Sequence, residues 1–299
     1  MIDALLDRTV LLGYARTGLL ARRHLPGWPA DPPRLDGKTV VLTGATSGIG
    51  AAAAAQLAEL GADLHLLGRD EARTAKAAAE VGATPHVCDV SSLSSLRAFL
   101  AGWDRPVDVL LNNAGSFLKE RRLSPDGVEL TFATNVLGPF VLVQGLAPLM
   151  PSGGRIITMS SGGMYGQALD GDHLDNDDYA PAKAYARTKR AEVVLTEMWA
   201  DRLHPRGIVC HSLHPGWAAT PGVTVSLPTF DQLMRPLLRT PAEGADTMVW
   251  LAAAPEAGES TGLFWHDRKA RPTHLLGLNK ESAADRDALW RRCEELAAR

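Results

Sequence analysis

The chain has 299 residues, of which 45% are hydrophobic and 22% charged, with a formal net charge of −3. That composition supports a packed core and excludes a disordered chain. A pI near 6.3 gives no electrostatic basis for nucleic acid as the main partner.

Residues 1–25 mix apolar side chains (Ile2, Leu5, Leu6, Val10, Leu11, Leu12, Leu19, Leu20) with charges (Asp3, Asp7, Arg8, Arg16, Arg22, Arg23). The uncharged run from Thr9 to Ala15 is far shorter than the ~20 residues that span a bilayer. A secretory signal starts basic, and this chain starts acidic. An amphipathic helix remains, packed on the main body or on a partner, with peripheral membrane contact as the alternative. Pro26, Pro29, Pro32 and Pro33 then mark a linker, so residues 1–36 read as an arm and 37–299 as one domain.

From residue 39 the pattern alternates strand and helix. Thr39–Thr43 is a first strand and Ala51–Leu60 an alanine-rich helix stopped by Gly61. Strands are expected at Asp63–Leu67, Pro85–Cys88, Val107–Leu111, Arg155–Met159, Ile208–Leu213 and Leu263–Trp265. A long helix is expected over Ala184–Leu203 and a last one over Ala283–Ala298. Short apolar strands separated by helices imply an α/β fold: a Rossmann-like, doubly wound parallel sheet with helices on both faces.

The first strand runs into Thr43-Gly44-Ala45-Thr46-Ser47-Gly48-Ile49-Gly50. Glycines there let the backbone turn tightly and approach a pyrophosphate, which the following helix N-terminus attracts. The absence of a Gly-Lys-Ser/Thr sequence rejects a P-loop NTPase. The candidate cofactor contacts are Gly44, Thr46, Ser47, Gly48, Ile49 and Gly50. The second strand ends Leu66-Leu67-Gly68-Arg69. Gly68 stands where an NAD site carries an acid, and the Arg69 guanidinium suits a 2′-phosphate. NADP(H) is therefore favoured over NAD(H), with the neighbouring Asp70 as the contrary sign.

Tyr185 and Lys189 open the long helix on one face, at i and i+4. An ammonium beside a phenol stabilises the phenolate, so the tyrosine can exchange a proton with an alcohol or carbonyl oxygen. Ser160-Ser161, at a strand end, can hydrogen-bond the same oxygen. Tyr179 and Lys183 repeat the spacing, but Pro181 between them argues against regular helix there.

In this order and spacing, Thr43–Gly50, Asp89, Asn112-Asn113-Ala114-Gly115, Asn135, Ser160-Ser161, Tyr185, Lys189 and Pro215-Gly216-Trp217 with Thr220 resemble the short-chain dehydrogenase/reductase superfamily, single-domain type. The resemblance implies Tyr185 as general acid/base, with Lys189 as its partner bonded to the nicotinamide ribose. It implies Ser161 as the hydroxyl that positions the substrate oxygen, with Ser160 turned into the sheet, and Asn135 as holder of a relay water. Asp89 and Val90 would meet the adenine, and Asn112, Ala114 and Gly115 its ribose. Pro215, Gly216, the Trp217 backbone and Thr220 would receive the nicotinamide carboxamide. It also implies a homo-oligomer, since relatives often dimerise through the helix carrying Tyr185.

The interval from Ser161 to Tyr185 is long for the family, as it is in the retinol dehydrogenase branch, which hints at a lipophilic substrate. The segment carries Asp170, Asp172, Asp175, Asp177 and Asp178, but lacks the pattern of a calcium loop. The histidines show no zinc-site spacing, and Cys88, Cys210 and Cys293 form no C-x-x-C, so no metal is expected. Three dispersed thiols fit the core of a protein in the reducing cytoplasm. Trp217, Pro221, Phe230, Leu233, Met234, Pro236 and Leu237 would lie over the substrate, with Phe117, Met164 and Tyr165 as further wall candidates. The expected activity is NADP(H)-dependent hydride transfer between nicotinamide and a small-molecule alcohol or carbonyl. The alternative is an NADP(H)-binding redox sensor without turnover.

Overall fold

A computed structural model describes residues 3, 13–169, 179–219, 232, 234–274 and 279–299. Eight strands form one sheet: β1 Thr39–Thr43, β2 Asp63–Gly68, β3 Thr84–Val87, β4 Val109–Asn112, β5 Arg155–Met159, β6 Val209–Leu213, β7 Phe264–His266 and β8 Lys269–Arg271. Their order is β3-β2-β1-β4-β5-β6-β7-β8, with every pair parallel except β7 and β8. The chain reverses its winding between β1 and β4, and a crevice opens at the carboxyl ends of those strands.

Adjacent strand residues are buried on opposite faces, as a doubly wound sheet demands. Val40, Leu42, Val109, Leu111 and Ile157 pack with helices α2 (Gly48–Glu59), α3 (Glu71–Val81) and α7 (Pro241–Ala253). Val41, Leu110 and Ile156 face α4 (Leu93–Ala101), α5 (Gly138–Leu146), α6 (Pro181–Leu203) and α8 (Ala283–Ala297). Ahead of α5 the backbone passes through Leu130–Phe132 and a π turn at Ala133–Leu137. The stretch Leu130–Leu149 is long and apolar enough to cross a membrane, but 72% of it is buried here, as in a core helix. Cys88, Cys210 and Cys293 are buried free thiols, and burial pushes the first two up to about 11 and about 12.

Three elements depart from expectation. Helix α2 starts inside the glycine loop, at Gly48 rather than Ala51. Helix α6 starts at Pro181 rather than Ala184, because a proline in the first turn gives up an N–H that has no helical partner. Strand β8 was not anticipated. It closes a hairpin through Asp267 and Arg268, both in the left-handed region at φ 52° and 53°, where side chains rarely sit.

That turn anchors the N-terminal arm, whose helix α1 (Arg16–Arg23) buries Leu19 and Arg22 on the body. Arg22 donates to Asp267 at 2.6 Å and to the Gly13 carbonyl at 2.8 Å. Arg239 grips the same carboxylate at 2.6 and 3.0 Å. Arg268 reaches Asp246 at 2.8 Å and the linker at Asp31 and Ala30. Burial would raise the Asp267 carboxyl, but His266, Arg239 and Arg22 hold it far below the usual carboxylate range. His266 is itself pushed down to about 4 by burial, so the two arginines carry the charge at neutral pH.

Replacing Asp267 by Asn leaves two buried guanidiniums facing a neutral amide. Asp267→Asn is expected to cost about 3–5 kcal/mol, read as a lowered Tm. A carboxylate depressed in the folded state stabilises above its unfolded value, and loses that contribution as pH falls through the folded one. The gap between wild type and variant should therefore narrow below about pH 4, where a gap that stays constant would contradict the assignment.

Candidate active site

Four loops meet at the crevice, those after β1, β4, β5 and β6. The first is shaped by glycine. Gly44 has φ 70°, and a Cβ there would lie 2.8 Å from the Ala114 Cα. A Cβ on Gly50 would strike the Gly44 carbonyl. Gly48 opens α2 at φ 57°. Ser47 is the exposed N-cap of α2, and its side chain makes no capping bond, so the first N–H groups of the helix stay available to an anion. Ile49 turns away and packs toward Gly244 of α7, leaving only its backbone on the crevice.

Asn113, absent from the expected contacts, stitches this loop to β4. Its amide donates to the Thr43 and Gly44 carbonyls at 2.9 and 3.3 Å. Thr43 Oγ1 accepts the N–H groups of Asn113 and Ala114, each at 3.0 Å. The expected Asn112 contact is narrowed to backbone, since its side chain is buried and turned into the interior.

At the end of β2 a Cβ on Gly68 would run into Thr74 Oγ1, so an acidic side chain has no room there. Arg69 is exposed beside it. Asp70 is taken up as the N-cap of α3, accepting from the Arg73 N–H at 2.9 Å, which removes the contrary sign read from sequence. Asp89 is partly engaged, accepting from Ser91 N–H and Oγ at 2.9 and 2.7 Å. Val90 lies against α5, where Gly138 lets the helix approach its carbonyl. Glycine cradle, open helix terminus and exposed guanidinium together fit a dinucleotide phosphate.

The second half of the site is carried by α6. Lys189 is 3% exposed, and its Nζ donates to the Met159 carbonyl at 2.9 Å and to Glu192 Oε1 at 2.8 Å. That Nζ lies 5.5 Å from the centre of the Tyr185 ring. Burial works against the ammonium, but Glu192 and Tyr185 outweigh it and hold Lys189 above its ordinary value. Burial pushes Glu192 up to about 7 against the pull of Lys189. Ser160 points inward and donates to the Lys189 carbonyl at 2.7 Å. Ser161 and Tyr185 flank Gly163, whose N–H donates to Ser161 Oγ at 3.2 Å. Asn135 sits in the π turn, a deviation common at functional sites. It accepts from Ser116 N–H at 2.7 Å and donates to Thr188 Oγ1 at 2.9 Å. Gly115 completes the group, since a Cβ there would be 3.6 Å from Lys189 Nζ and 3.7 Å from Asn135 Oδ1.

The competing pair does not assemble. Tyr179 precedes α6 and donates to the Leu118 carbonyl at 2.9 Å, while Lys183 is exposed. Two expected wall residues are structural instead. Met164 is fully buried with Val193 and Phe264, and Tyr165 donates to the Pro272 carbonyl at 2.7 Å. Phe117 does reach the site, packing edge-on against Tyr185 with ring centres 5.0 Å apart.

In the loop after β6, the Arg239 guanidinium fills the space beside Gly216, which has φ 78°, and donates to the Pro215 carbonyl at 3.3 Å. Both polar groups of the Trp217 backbone already have protein partners. Its N–H donates to the Tyr14 carbonyl at 2.9 Å, and its carbonyl accepts from Arg239 N–H at 2.7 Å. The arm has taken the first group and the body the second. Thr220, Pro221, Phe230, Leu233 and the five aspartates of 170–178 lie outside the described residues. Glu192, Asn113, Thr188 and Tyr14 were missed. Asn113 stands inside the quoted Asn112–Gly115 motif and Glu192 lies one helical turn beyond Lys189, whereas Tyr14 carries no local signal.

A family model described as short chain dehydrogenase matches residues 38–228. The chain is 41% identical over 281 residues to dehydrogenase/reductase SDR family member 12 of Bos taurus, covering 89% of this chain and 88% of that one. It is 35% identical to retinol dehydrogenase 14 of Homo sapiens, covering 80% and 81%. Its fold matches a short chain dehydrogenase from Burkholderia cenocepacia solved in complex with NADP, with TM-score 0.64 and 25% identity over 77% of this chain and 96% of that one.

Gly44→Ala forces a Cβ into a left-handed position against Ala114. It is expected to weaken binding of a nicotinamide nucleotide at least about ten-fold, as read by quenching of protein fluorescence. Unchanged affinity would remove the loop from the binding surface.

Proposed function

This chain belongs to the short-chain dehydrogenase family and is an NAD(P)-dependent oxidoreductase acting on CH–OH and C=O groups of a small molecule, and within that activity we propose that Tyr185 is its general acid/base. The observation that carries this reading is the buried Lys189 ammonium, 5.5 Å from the centre of the Tyr185 ring. Bound along the glycine loop, the nicotinamide would supply or accept the hydride. Tyr185 Oη would give its proton to the carbonyl oxygen during reduction, or take one from the alcohol during oxidation. Ser161 Oγ would orient that oxygen. Asn135, rigid in the π turn, would hold the water through which Lys189 meets solvent protons.

The cofactor we favour is NADP(H). The end of β2 offers an exposed guanidinium at Arg69, no room for an acid at Gly68, and an Asp70 occupied by capping. The solved relative bound to NADP supports the same choice. The substrate we favour is lipophilic, a retinoid-, steroid- or fatty-carbonyl-like molecule. The ring of Phe117 against Tyr185 supports an apolar approach, and so does the similarity to a retinol dehydrogenase. The three buried thiols suit a cytoplasmic location.

Tyr185→Phe is expected to lower kcat for every accepted carbonyl by about 10²–10⁴-fold while NADPH still binds. Turnover that persists in this variant would remove Tyr185 from the chemistry. Arg69→Asp should weaken NADPH binding about ten- to hundred-fold and leave NADH nearly unaffected. Equal losses with both nucleotides would refute the NADP(H) assignment.

A further inference from the structure

Glu192 is 4% exposed and faces Lys189 from one helical turn away. Its Oε1 is bonded to Lys189 Nζ at 2.8 Å. Its Oε2 has no protein partner among the described residues, nor does either side-chain polar atom of Asn112. Both residues line a cavity of about 20 Å³ between the sheet, α5 and α6, which has room for about one water. Glu192 is not the sole partner of the ammonium, because the Met159 carbonyl also accepts from it at 2.9 Å. A buried carboxylate is costly, and removing one partner of a buried pair leaves the other charge uncompensated, so the Glu192 variants are compared by titration and not by stability. The effect of Glu192 here is electrostatic.

An ammonium close to a phenol favours the phenolate form. A carboxylate bonded to the same ammonium subtracts from that field. We infer that Glu192 is a positioning residue that tempers the charge of Lys189 and so keeps the proton on Tyr185 Oη, biasing the site toward carbonyl reduction. This rests on the Tyr185–Lys189 reading above.

The other groups facing Glu192 do not compete for this role. Ser160 just after β5, Thr196 on α6, Asn135 in the π turn and Asn112 on β4 are neutral at any working pH. Cys210 on β6 remains a thiol, since burial pushes it up to about 12. Glu192 itself is pushed up to about 7, so it carries its charge on the alkaline side, where phenols titrate.

The test is an ultraviolet titration of phenolate, feasible in a protein with four tyrosines. Wild type and Glu192→Gln are each compared with the same protein carrying Tyr185→Phe, to isolate the Tyr185 signal. Glu192→Gln is expected to move the Tyr185 midpoint down by roughly one pH unit, with the acid limb of the alcohol-oxidation profile moving equally. Glu192→Asp keeps the charge and should stay close to wild type. A midpoint that stays put or rises in Glu192→Gln overturns the inference, as does an Asp variant that moves as far as Gln.

If the Gln variant does not fold, infrared titration of the wild type decides. Its protonated-carboxyl band, assigned by its shift in Glu192→Asp, must be gone by about pH 9, and persistence overturns the inference. If Tyr185→Phe leaves the phenolate titration of the site intact, the Tyr185–Lys189 reading itself fails. If Tyr185→Phe removes it and Glu192→Gln does not shift it, only the role of Glu192 fails.

Discussion

A buried ammonium has to be paired and hydrogen-bonded or it will shed its proton, and the site is arranged around meeting that demand for Lys189. The sheet contributes the Met159 carbonyl at the end of β5. Helix α6 contributes Glu192, and through Ser160 the same strand end ties down the backbone of Lys189. The loop after β4 passes close to Nζ at Gly115, where a Cβ would lie 3.6 Å from it. The π turn brings Asn135 to the same point from the other side and locks it to Thr188, whose hydroxyl bonds the Tyr185 carbonyl at 2.8 Å. Tyr185, Thr188, Lys189 and Glu192 thus ride on one 23-residue helix, so their mutual positions are set by helix geometry rather than by loop packing.

A second buried charge system, centred on Asp267, does for the arm what Lys189 does for the site. Pairs of this kind add little net stability, because desolvation consumes most of the attraction, but each fits one register. Arg22 and Arg239 meet on a single carboxylate, which is presented by a two-residue turn in a disfavoured backbone region. Such a turn persists only where its surroundings over-determine it. Tyr14 then lands edge-on against His214, His266 and Trp217, and its carbonyl caps the Trp217 N–H. The arm is part of the wall behind the loop after β6.

The difference between what could and could not be read from sequence follows from range. β1, β2 and β5 are short runs rich in apolar residues, and the glycine loop and the Tyr185–Lys189 spacing are local, so each is legible within a few residues. Helix α6 was begun three residues late because Pro181 was weighed as a breaker and not as a first-turn residue. Strand β8 escaped because its turn, Asp267-Arg268, lacks the Asn-Gly type of signal and is held by partners more than two hundred residues away, such as Arg22. The pairing of the Trp217 N–H is hidden for the same reason. That N–H is open in any local reading, and only the docked arm shows that Tyr14 has taken it.

The chain's two ends extend this logic. The arm closes on the loop after β6, and α8 closes on α6, where Leu289, Cys293 and Leu296 join the core. Trp290 packs against Trp199 at 4.6 Å and Phe140 at 5.0 Å, and the Arg202 guanidinium lies 3.7 Å over the Trp290 ring. Each such aromatic burial is worth a few kcal/mol, with the stacked guanidinium adding to it. At that level the outer face of α6, the face through which the family resemblance would have two subunits meet, is covered by the chain's own C-terminus. The length beyond the nucleotide-binding core thus goes into bracing α6, which carries Tyr185 and Lys189, and the loop after β6.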